Sequence, residues 1–307
     1  MATLVSSSPI ERLRANIAHQ IVGKDRPIQL VLTALLAGGH VLLEDVPGVG
    51  KTLLAKSLAK SIDGKFQRIQ CTPDLLPSDI TGTNIWNPGN REFEFIAGPV
   101  FTNILLADEI NRATPRTQSA LLEVMEERQV TLDGHSRAVA APFFVIATQN
   151  PIESQGTFVL PEAQMDRFMV SLSLGYPDAN EELQMLQGLA TGNSIATLEP
   201  CISSEQLQAM QQQCQQVKVD AAIQKYIVNL VRATRHDREI SLGVSPRGSV
   251  ALYRATQAWA WLQGRTYASP DDVKDLAIYV LSHRILTIGS RRGSQSIERL
   301  LQEVPIE

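Results

Sequence analysis

Cysteine is scarce in this chain of 307 residues, which contains only Cys71, Cys201 and Cys214. The three form no C-x-x-C pair, and they are too few for the disulfide framework of a small secreted domain. Long apolar runs are also absent, because none approaches the roughly 18 residues that a membrane helix needs. The N-terminal segment has no charged stretch leading into an apolar one, so we expect no signal peptide. These absences predict a cytoplasmic protein in a reducing compartment.

An excess of positive charge is absent too. The 28 lysines and arginines are outnumbered by 32 aspartates and glutamates, which gives a formal net charge of −4. This balance does not favour a nucleic-acid partner, since such a partner needs a cationic surface. With 44% hydrophobic and 20% charged residues, the composition is that of a globular protein, and the length is sufficient for two domains.

A glycine-rich turn at residues 45–52 stands between an apolar strand pattern and an amphipathic helix pattern. Gly48 and Gly50 let the backbone turn tightly and approach phosphate oxygens, because no Cβ stands in the way. Lys51 can reach the β- and γ-phosphates of a nucleotide, and the Thr52 hydroxyl can hold Mg²⁺. The residues that we expect to bind nucleotide here are Pro47, Gly48, Val49, Gly50, Lys51, Thr52 and Leu53.

One position of this turn departs from the phosphate-loop pattern G-x-x-x-x-G-K-[ST]. The first glycine position holds Asp45. The remaining P-G-V-G-K-T core, between a strand and a helix, still predicts phosphate binding at a helix N-terminus. The alternative is a glycine turn followed by a surface lysine.

Two further apolar segments end in polar residues. Residues 104–107 are followed by Asp108 and Glu109, and residues 143–148 lead to Asn150. Ligands of open α/β sheets bind at the carboxyl ends of the strands, where these side chains would lie. We expect Asp108 to hold the Mg²⁺ shell, Glu109 to act as general base on the attacking water, and the Asn150 amide to orient that water.

Two hairpins interrupt the strand and helix alternation. Residues 83–86 and 91–95 alternate in polarity around an Asn-Pro-Gly-Asn turn, and residues 129–132 and 135–139 flank an Asp-Gly turn. Both patterns predict antiparallel pairs. The first hairpin would project from the sheet as an insertion, and a decorated surface loop is the alternative.

The pattern changes near residues 175–178, beyond which we expect helices and no strands. Ser245-Pro246 is a typical helix start, and Arg247 follows in the first turn. A cation there opposes the helix dipole by a few tenths of a kcal/mol. Arg247 therefore has a candidate role outside its helix, such as binding phosphate. Arg167, between a short helix and a strand, would be an ordinary surface charge unless subunits form a ring.

Together these motifs resemble the AAA+ ATPases, and most closely the MoxR family. Residues 45–52 look like Walker A, 105–113 like Walker B, 147–151 like sensor 1, 156–168 like the stretch with the arginine finger, and 245–247 like sensor 2. The likeness covers nearly the whole chain, with 57 residues from Lys51 to Asp108 and 42 more to Asn150. It implies an α/β P-loop NTPase core, with a parallel five-stranded sheet between helices, in residues 1–176. A C-terminal all-α lid would follow in residues 177–307.

The resemblance also implies how such a protein works. ATP would lie between core and lid, with Val22 and Gly23 near the adenine. Lys51, Mg²⁺ and Arg247 would neutralise phosphate charge, although sensor 2 can act on a neighbour's site in related clades. Arg167 would act as the arginine finger on the adjacent subunit's site. Hydrolysis would then depend on a homo-oligomeric ring, which the resemblance implies is a hexamer.

The function implied by the resemblance is that of a chaperone-like factor that remodels or matures protein complexes, often with a von Willebrand factor A domain partner. Three alternatives remain open at this stage: a nucleic-acid motor, the ATPase subunit of a metal chelatase, and a nucleotide-locked scaffold. The Asp133-Gly134 tip of the second hairpin disfavours the first, because it carries no lysine cluster for an anionic backbone.

Overall fold

The computed structural model describes residues 8–151, 156–190, 198–289 and 292–306. Residues 1–7, on which the expectation of no signal peptide depends, lie outside these ranges. The helices are α1 (Pro9–Gln20), α2 (Asp25–Leu36), α3 (Lys51–Ser61), α4 (Pro77–Thr81), α5 (Pro115–Glu127), α6 (Glu162–Met165), α7 (Ala179–Ala190), α8 (Ser204–Gln215), α9 (Ala221–His236), α10 (Pro246–Leu262), α11 (Pro270–Leu281) and α12 (Gly293–Glu303). The strands are β1 (Val41–Glu44), β2 (Phe66–Gln70), β3 (Gly82–Asn87), β4 (Glu92–Ala97), β5 (Ile104–Asp108), β6 (Gln129–Leu132), β7 (His135–Ala138), β8 (Phe144–Gln149), β9 (Val170–Leu172), β10 (Ile240–Leu242) and β11 (Leu286–Thr287). Single turns of 3₁₀ helix occur at Ile110–Arg112 and Ser282–Arg284.

The central sheet is parallel and has five strands in the order β2-β5-β8-β1-β9, which confirms the predicted fold class. Its register pairs Leu42 with Ala147 and Ala107 with Ala147. The carboxyl ends of β1, β5 and β8 therefore lie side by side at one edge. This edge is where the polar residues predicted from the strand ends should meet.

Two apolar cores cover the faces of this sheet. Val41 and Leu43 pack in one core with α1, α2, α3 and the helices of the second half of the chain. Leu42, between them, packs in the other core with α5. The alternation follows from the two-residue period of a strand. Because both faces are buried, the central strands are apolar throughout.

The two predicted hairpins are present. Strands β3 and β4 pair from Gly82 with Ala97 to Asn87 with Glu92, and β6 pairs with β7 around Asp133-Gly134. Both turn residues of the second hairpin have positive φ, 51° for Asp133 and 77° for Gly134, as a two-residue hairpin turn requires.

Beyond residue 178 the described part of the chain is mainly helical, but β10 and β11 form a short antiparallel ribbon. The expectation that no strand follows residue 178 is wrong at this ribbon. Segments of three and two residues are too short to give an alternating pattern, and Ile240 is the buried residue that anchors them. Among the described helices, none combines the length and apolar character needed to span a bilayer.

Candidate functional site

A cavity of about 440 Å³ lies at the carboxyl edge of the sheet. It brings together most of the residues predicted from the phosphate loop and from the ends of β5 and β8. Its lining consists of Pro47, Gly48, Gly50, Lys51, Thr52, Leu53, Arg68, Gln70, Asp108, Glu109 and Asn150. A cavity of about 700 Å³ between α1, α8 and the end of α10 is larger, but the smaller cavity has the paired acids and the lysine.

The phosphate loop owes its shape to two glycines. Gly48 and Gly50 have φ values of 89° and 93°, in the left-handed region that favours glycine. Helix α3 begins at Lys51, and its first main-chain hydrogen bond runs from Leu54 N to Gly50 O over 2.9 Å. The N–H groups at the start of α3 are thus left for a ligand, at the positive end of the helix dipole. An anion fits this end of the cavity.

Lys51 lies across the loop that precedes it. Its Nζ donates to Asp45 O at 2.9 Å and to Val46 O at 3.0 Å. These contacts hold the ammonium group against the carbonyls at the start of the loop. Among the described residues, no carboxylate pairs with it. A phosphate oxygen can therefore replace the two carbonyls without breaking an ion pair.

Asp108 is fixed from two sides. Thr148 Oγ1 donates to its Oδ1 at 2.6 Å, and Arg68 Nη2 lies 2.7 Å from its Oδ2. The Thr148 hydroxyl also accepts a hydrogen bond from Glu109 N at 2.8 Å. These contacts tie the end of β8 to the end of β5. The Asp108 carboxylate and the Thr52 hydroxyl are oxygen ligands of the kind that Mg²⁺ prefers, so the residues present fit this ion.

Glu109 has a left-handed backbone, with φ of 56°. A non-glycine residue held there costs of order 1–3 kcal/mol, and such strain tends to occur where a side chain must be aimed. Its Oε2 accepts from Gln70 Nε2 at 2.9 Å and lies 3.3 Å from Arg112 Nε. The carboxylate therefore faces the cavity in a fixed position.

Sequence reasoning missed Arg68 and Gln70. They are two residues apart on β2 and so point to the same face of the strand, where they reach Asp108 and Glu109. The available signal was their position at the carboxyl end of a predicted strand. Nearby Cys71 is not a third reactive group, because burial, with the Asp108 and Glu109 charges, raises the pKa of its thiol to about 12.

The turn predicted to contact adenine lies beside the phosphate loop but does not line the cavity. Val22 and Gly23 join α1 to α2, and Ile21 Cδ1 is 3.9 Å from the position that a Cβ on Gly50 would take. Gly23 is covered by Glu181 of α7, whose Oε1 would lie 1.7 Å from an added Cβ. A side chain at residue 23 would therefore displace the Glu181 side chain from this turn.

Arg167 and Arg247 do not line the phosphate cavity of their own chain. They lie together in a second cavity of about 310 Å³. Arg167 Nε is 3.3 Å from Glu126 Oε2, and Arg247 Nη2 pairs with the other oxygen of the same carboxylate. The two predicted arginines thus form one cationic group that is open to solvent.

A buried arginine holds the segment on either side of Arg167. Arg284 Nε donates to Asp166 Oδ1 at 2.8 Å, and Arg284 Nη2 donates to Phe168 O at 2.6 Å. The other carboxylate oxygen of Asp166 accepts from Ser245 Oγ at 2.7 Å, so this hydroxyl bonds Asp166 and does not cap α10. Burial lowers the pKa of Arg284 to about 10, against the opposing effect of Asp166. The guanidinium therefore stays charged at neutral pH.

This contact predicts a large loss of stability on mutation. Arg284→Met should lower the free energy of unfolding by about 3–5 kcal/mol, because it leaves Asp166 without its buried partner. Urea unfolding followed by circular dichroism measures the change. Arg14→Ala is the control: Arg14 and Asp25 pair at 3.5 Å on an exposed surface, and such pairs contribute about 1 kcal/mol or less. Equal losses in the two variants would contradict the assigned role of Arg284.

Comparison with known proteins adds independent observations. Residues 40–170 match the family model described as "ATPase family associated with various cellular activities (AAA)", and residues 232–304 match the AAA lid domain. Chaperone MoxR1 of Mycobacterium tuberculosis is 41% identical over 311 residues, covering 97% of this chain and 82% of that protein. Protein MoxR of Methylorubrum extorquens is 30% identical, covering 95% and 92%.

Two other proteins are also similar over most of the chain. The uncharacterized protein YeaC of Bacillus subtilis is 55% identical over 271 residues, covering 88% of this chain and 85% of its own. A crystal structure of a protein from Cytophaga hutchinsonii superimposes with a TM-score of 0.90 at 38% identity, covering 97% of this chain and 95% of that one.

Proposed function

This chain belongs to the MoxR family of AAA+ ATPases, and we propose that it hydrolyses ATP at sites shared between neighbouring subunits of a ring. The observation that carries the proposal is the separation of the two groups of residues. Lys51, Asp108 and Glu109 line one cavity, whereas Arg167 and Arg247 share Glu126 in another. An arginine that lies outside its own phosphate cavity can serve the cavity of an adjacent copy.

In the proposed reaction each residue has a defined task. The N–H groups at the start of α3 and the Lys51 ammonium hold the triphosphate. Thr52 and Asp108 would hold Mg²⁺, which when bound neutralises charge on the phosphate oxygens. Glu109 takes the proton of the attacking water, and Asn150 orients that water.

We propose that both arginines act in trans. Arg167 and Arg247 would leave Glu126 and turn toward the γ-phosphate of the neighbouring subunit. The support is the exposure of the group, since the side chains of Arg247 and Glu126 are 45% and 36% exposed. Solvent-exposed ion pairs exchange partners at little cost. A hexamer is the ring size that we propose from the family resemblance.

We also propose that residues 1–176 and 177–307 act as two domains, with the second serving as a lid. The five strands of the central sheet all lie in the first part, and the lid match falls in the second. The turn at Val22 and Gly23, next to the phosphate loop and α7, would then contact the adenine where the two parts meet.

A protein client fits the hairpins better than nucleic acid. The rings of Trp86 and Phe93 on the β3–β4 hairpin meet edge to face, with centroids 5.2 Å apart, and the two residues are 50% and 69% exposed. The second hairpin is bound to the first, because Asn84 Nδ2 donates to Asp133 Oδ2 at 2.6 Å. An exposed apolar surface of this kind is typical of protein binding. The proposed activity is remodelling of protein complexes, with a von Willebrand factor A domain protein as the partner to seek by co-purification.

The experiment that tests this function is phosphate release from ATP by the full-length chain, with Lys51→Ala alongside. We expect turnover in the wild type and background levels in the variant, because the variant loses the cation that holds the triphosphate. Lys56→Ala, five residues further along α3, is the matched control and should retain turnover. Stimulation of the wild type by single-stranded DNA or RNA would favour a nucleic-acid motor, and an inactive wild-type ring would contradict the proposal.

A further inference from the structure

Asp45, which occupies the first glycine position of the phosphate-loop pattern, has its own hydrogen-bond partners in the structure. The Asp45 side chain is buried, with the residue only 5% exposed. Its carboxylate accepts hydrogen bonds from Ser173 Oγ and Leu174 N, both at 2.6 Å, and from Gly175 N at 3.2 Å. Residues 173–175 follow β9 and lead to α7. The side chain that replaces the expected glycine therefore holds the segment that leaves the sheet for the second half of the chain.

The main-chain groups of Asp45 form hydrogen bonds with other elements than its side chain does. Its carbonyl accepts from Lys51 Nζ at 2.9 Å, and its N–H donates to Gln149 O at 3.2 Å. Gln149 is the last residue of β8 and precedes Asn150. One residue thus contacts the phosphate-binding lysine, the end of β8 and the departing segment. Asp45 itself does not line the phosphate cavity.

A second contact continues the connection toward α7. Tyr176 O accepts from Lys24 Nζ at 2.8 Å, and the same ammonium lies 3.3 Å from Glu181 Oε2. Residues 173–181 are therefore bonded first to the phosphate loop and then to the α1–α2 turn. A glycine at residue 45 would leave only the second of these contacts. It would also avoid burying a carboxylate, which is costly unless hydrogen bonds compensate.

We propose that Asp45 is a positioning residue that couples occupancy of the phosphate loop to the position of residues 173–175, and through them to the helical half of the chain. The inference rests on the proposed nucleotide binding and extends it. When phosphate takes the Lys51 ammonium, Asp45 O loses its hydrogen bond, and the Asp45 peptide can shift. Because its carboxylate is bonded to residues 173–175, that shift moves this segment too.

Hydrogen exchange measures the coupling at Leu174 N, which donates to the Asp45 carboxylate. Gly175 N does not serve as the readout, because it also donates to Ser173 Oγ at 3.1 Å. In the wild type, a non-hydrolysable ATP analogue should speed exchange at Leu174 N by about fivefold or more, within the usual range for coupled sites. Asp45→Gly, which restores the common loop pattern, should show fast exchange with or without the analogue. Because coupling between two equilibria is reciprocal, its affinity for the analogue should rise by about the factor by which the analogue speeds exchange in the wild type, about fivefold or more, and its maximal turnover should fall.

Two further variants keep the test decisive. Ser173→Ala removes one of the three donors to the Asp45 carboxylate without touching the loop, and at Leu174 N it should give a smaller effect in the same direction. Asp45→Asn keeps the side-chain volume but replaces one acceptor with a donor, and it should lie between wild type and Asp45→Gly. If Asp45→Gly does not fold, Ser173→Ala decides.

The outcomes separate this inference from the proposed function. A wild type that does not bind the analogue contradicts nucleotide binding itself. A wild type that binds it without any change in exchange at Leu174 N overturns only the coupling. The coupling is also overturned if Asp45→Gly retains the analogue-dependent exchange difference, or turns over ATP as fast as the wild type does.

Discussion

Replacing Glu109 with glutamine is expected to lower ATP turnover by about 10²–10⁴-fold, the usual contribution of a positioned general base. Glutamine keeps the shape of the side chain and can still accept a hydrogen bond from Gln70 Nε2, which lies 2.9 Å from Glu109 Oε2. It cannot take a proton from water at neutral pH. ATP affinity should change little, because Lys51 and the start of α3 hold the phosphates. Steady-state phosphate release and equilibrium binding of labelled ATP measure the two quantities.

The matched control is Glu127→Gln, an exposed glutamate at the end of α5. It makes the same chemical change away from the cavity, so its turnover should equal that of the wild type. Turnover retained by the Glu109 variant would remove Glu109 as the base. A parallel loss of ATP affinity would instead show that the carboxylate shapes the phosphate site.

The central sheet was predictable because its strands are buried on both faces. Residues 41–43, 104–107 and 143–148 are apolar runs bounded by turns, and burial on both sides allows no polar alternation. Once these are strands of one parallel sheet, their polar ends must share an edge. The structure places Asp108, Glu109 and Asn150 together there with Lys51. This part of the candidate site therefore follows from local pattern and chain direction alone.

Other contacts depend on side chains that meet only in the folded chain. Arg284 binds Asp166 across 118 residues of sequence, and no local pattern distinguishes it from a surface arginine. Arg68 looks like the solvent-facing residue of an edge strand, yet it reaches Asp108 on the neighbouring strand. Asp45 looked like an imperfection in a motif until its partners at residues 173–175 were known. The partner of a charged side chain depends on which residues the tertiary fold brings near it. The sequence alone therefore left these roles open.

The position of Arg167 has a consequence for assembly. It follows Asp166, which Arg284 and Ser245 hold, and Ser245 precedes the helix that carries Arg247. Arg167 and Arg247 thus lie at one hydrogen-bonded junction. In the proposed ring, a neighbouring subunit's triphosphate would meet both cations together.

A mixture of two inactive variants should therefore regain turnover. Arg167→Ala alone should lose about 10³–10⁵-fold in rate, the usual contribution of an arginine finger, and Lys51→Ala alone should be inactive. In a ring mixed in equal amounts, about a quarter of the interfaces join an intact phosphate cavity to an intact Arg167. A mixture of Lys51→Ala with Glu109→Gln is the control, because both lesions fall in the same cavity and every interface carries one. Native mass spectrometry verifies that the rings are mixed. Equal, background-level turnover in both mixtures would mean that Arg167 does not complete a neighbour's site.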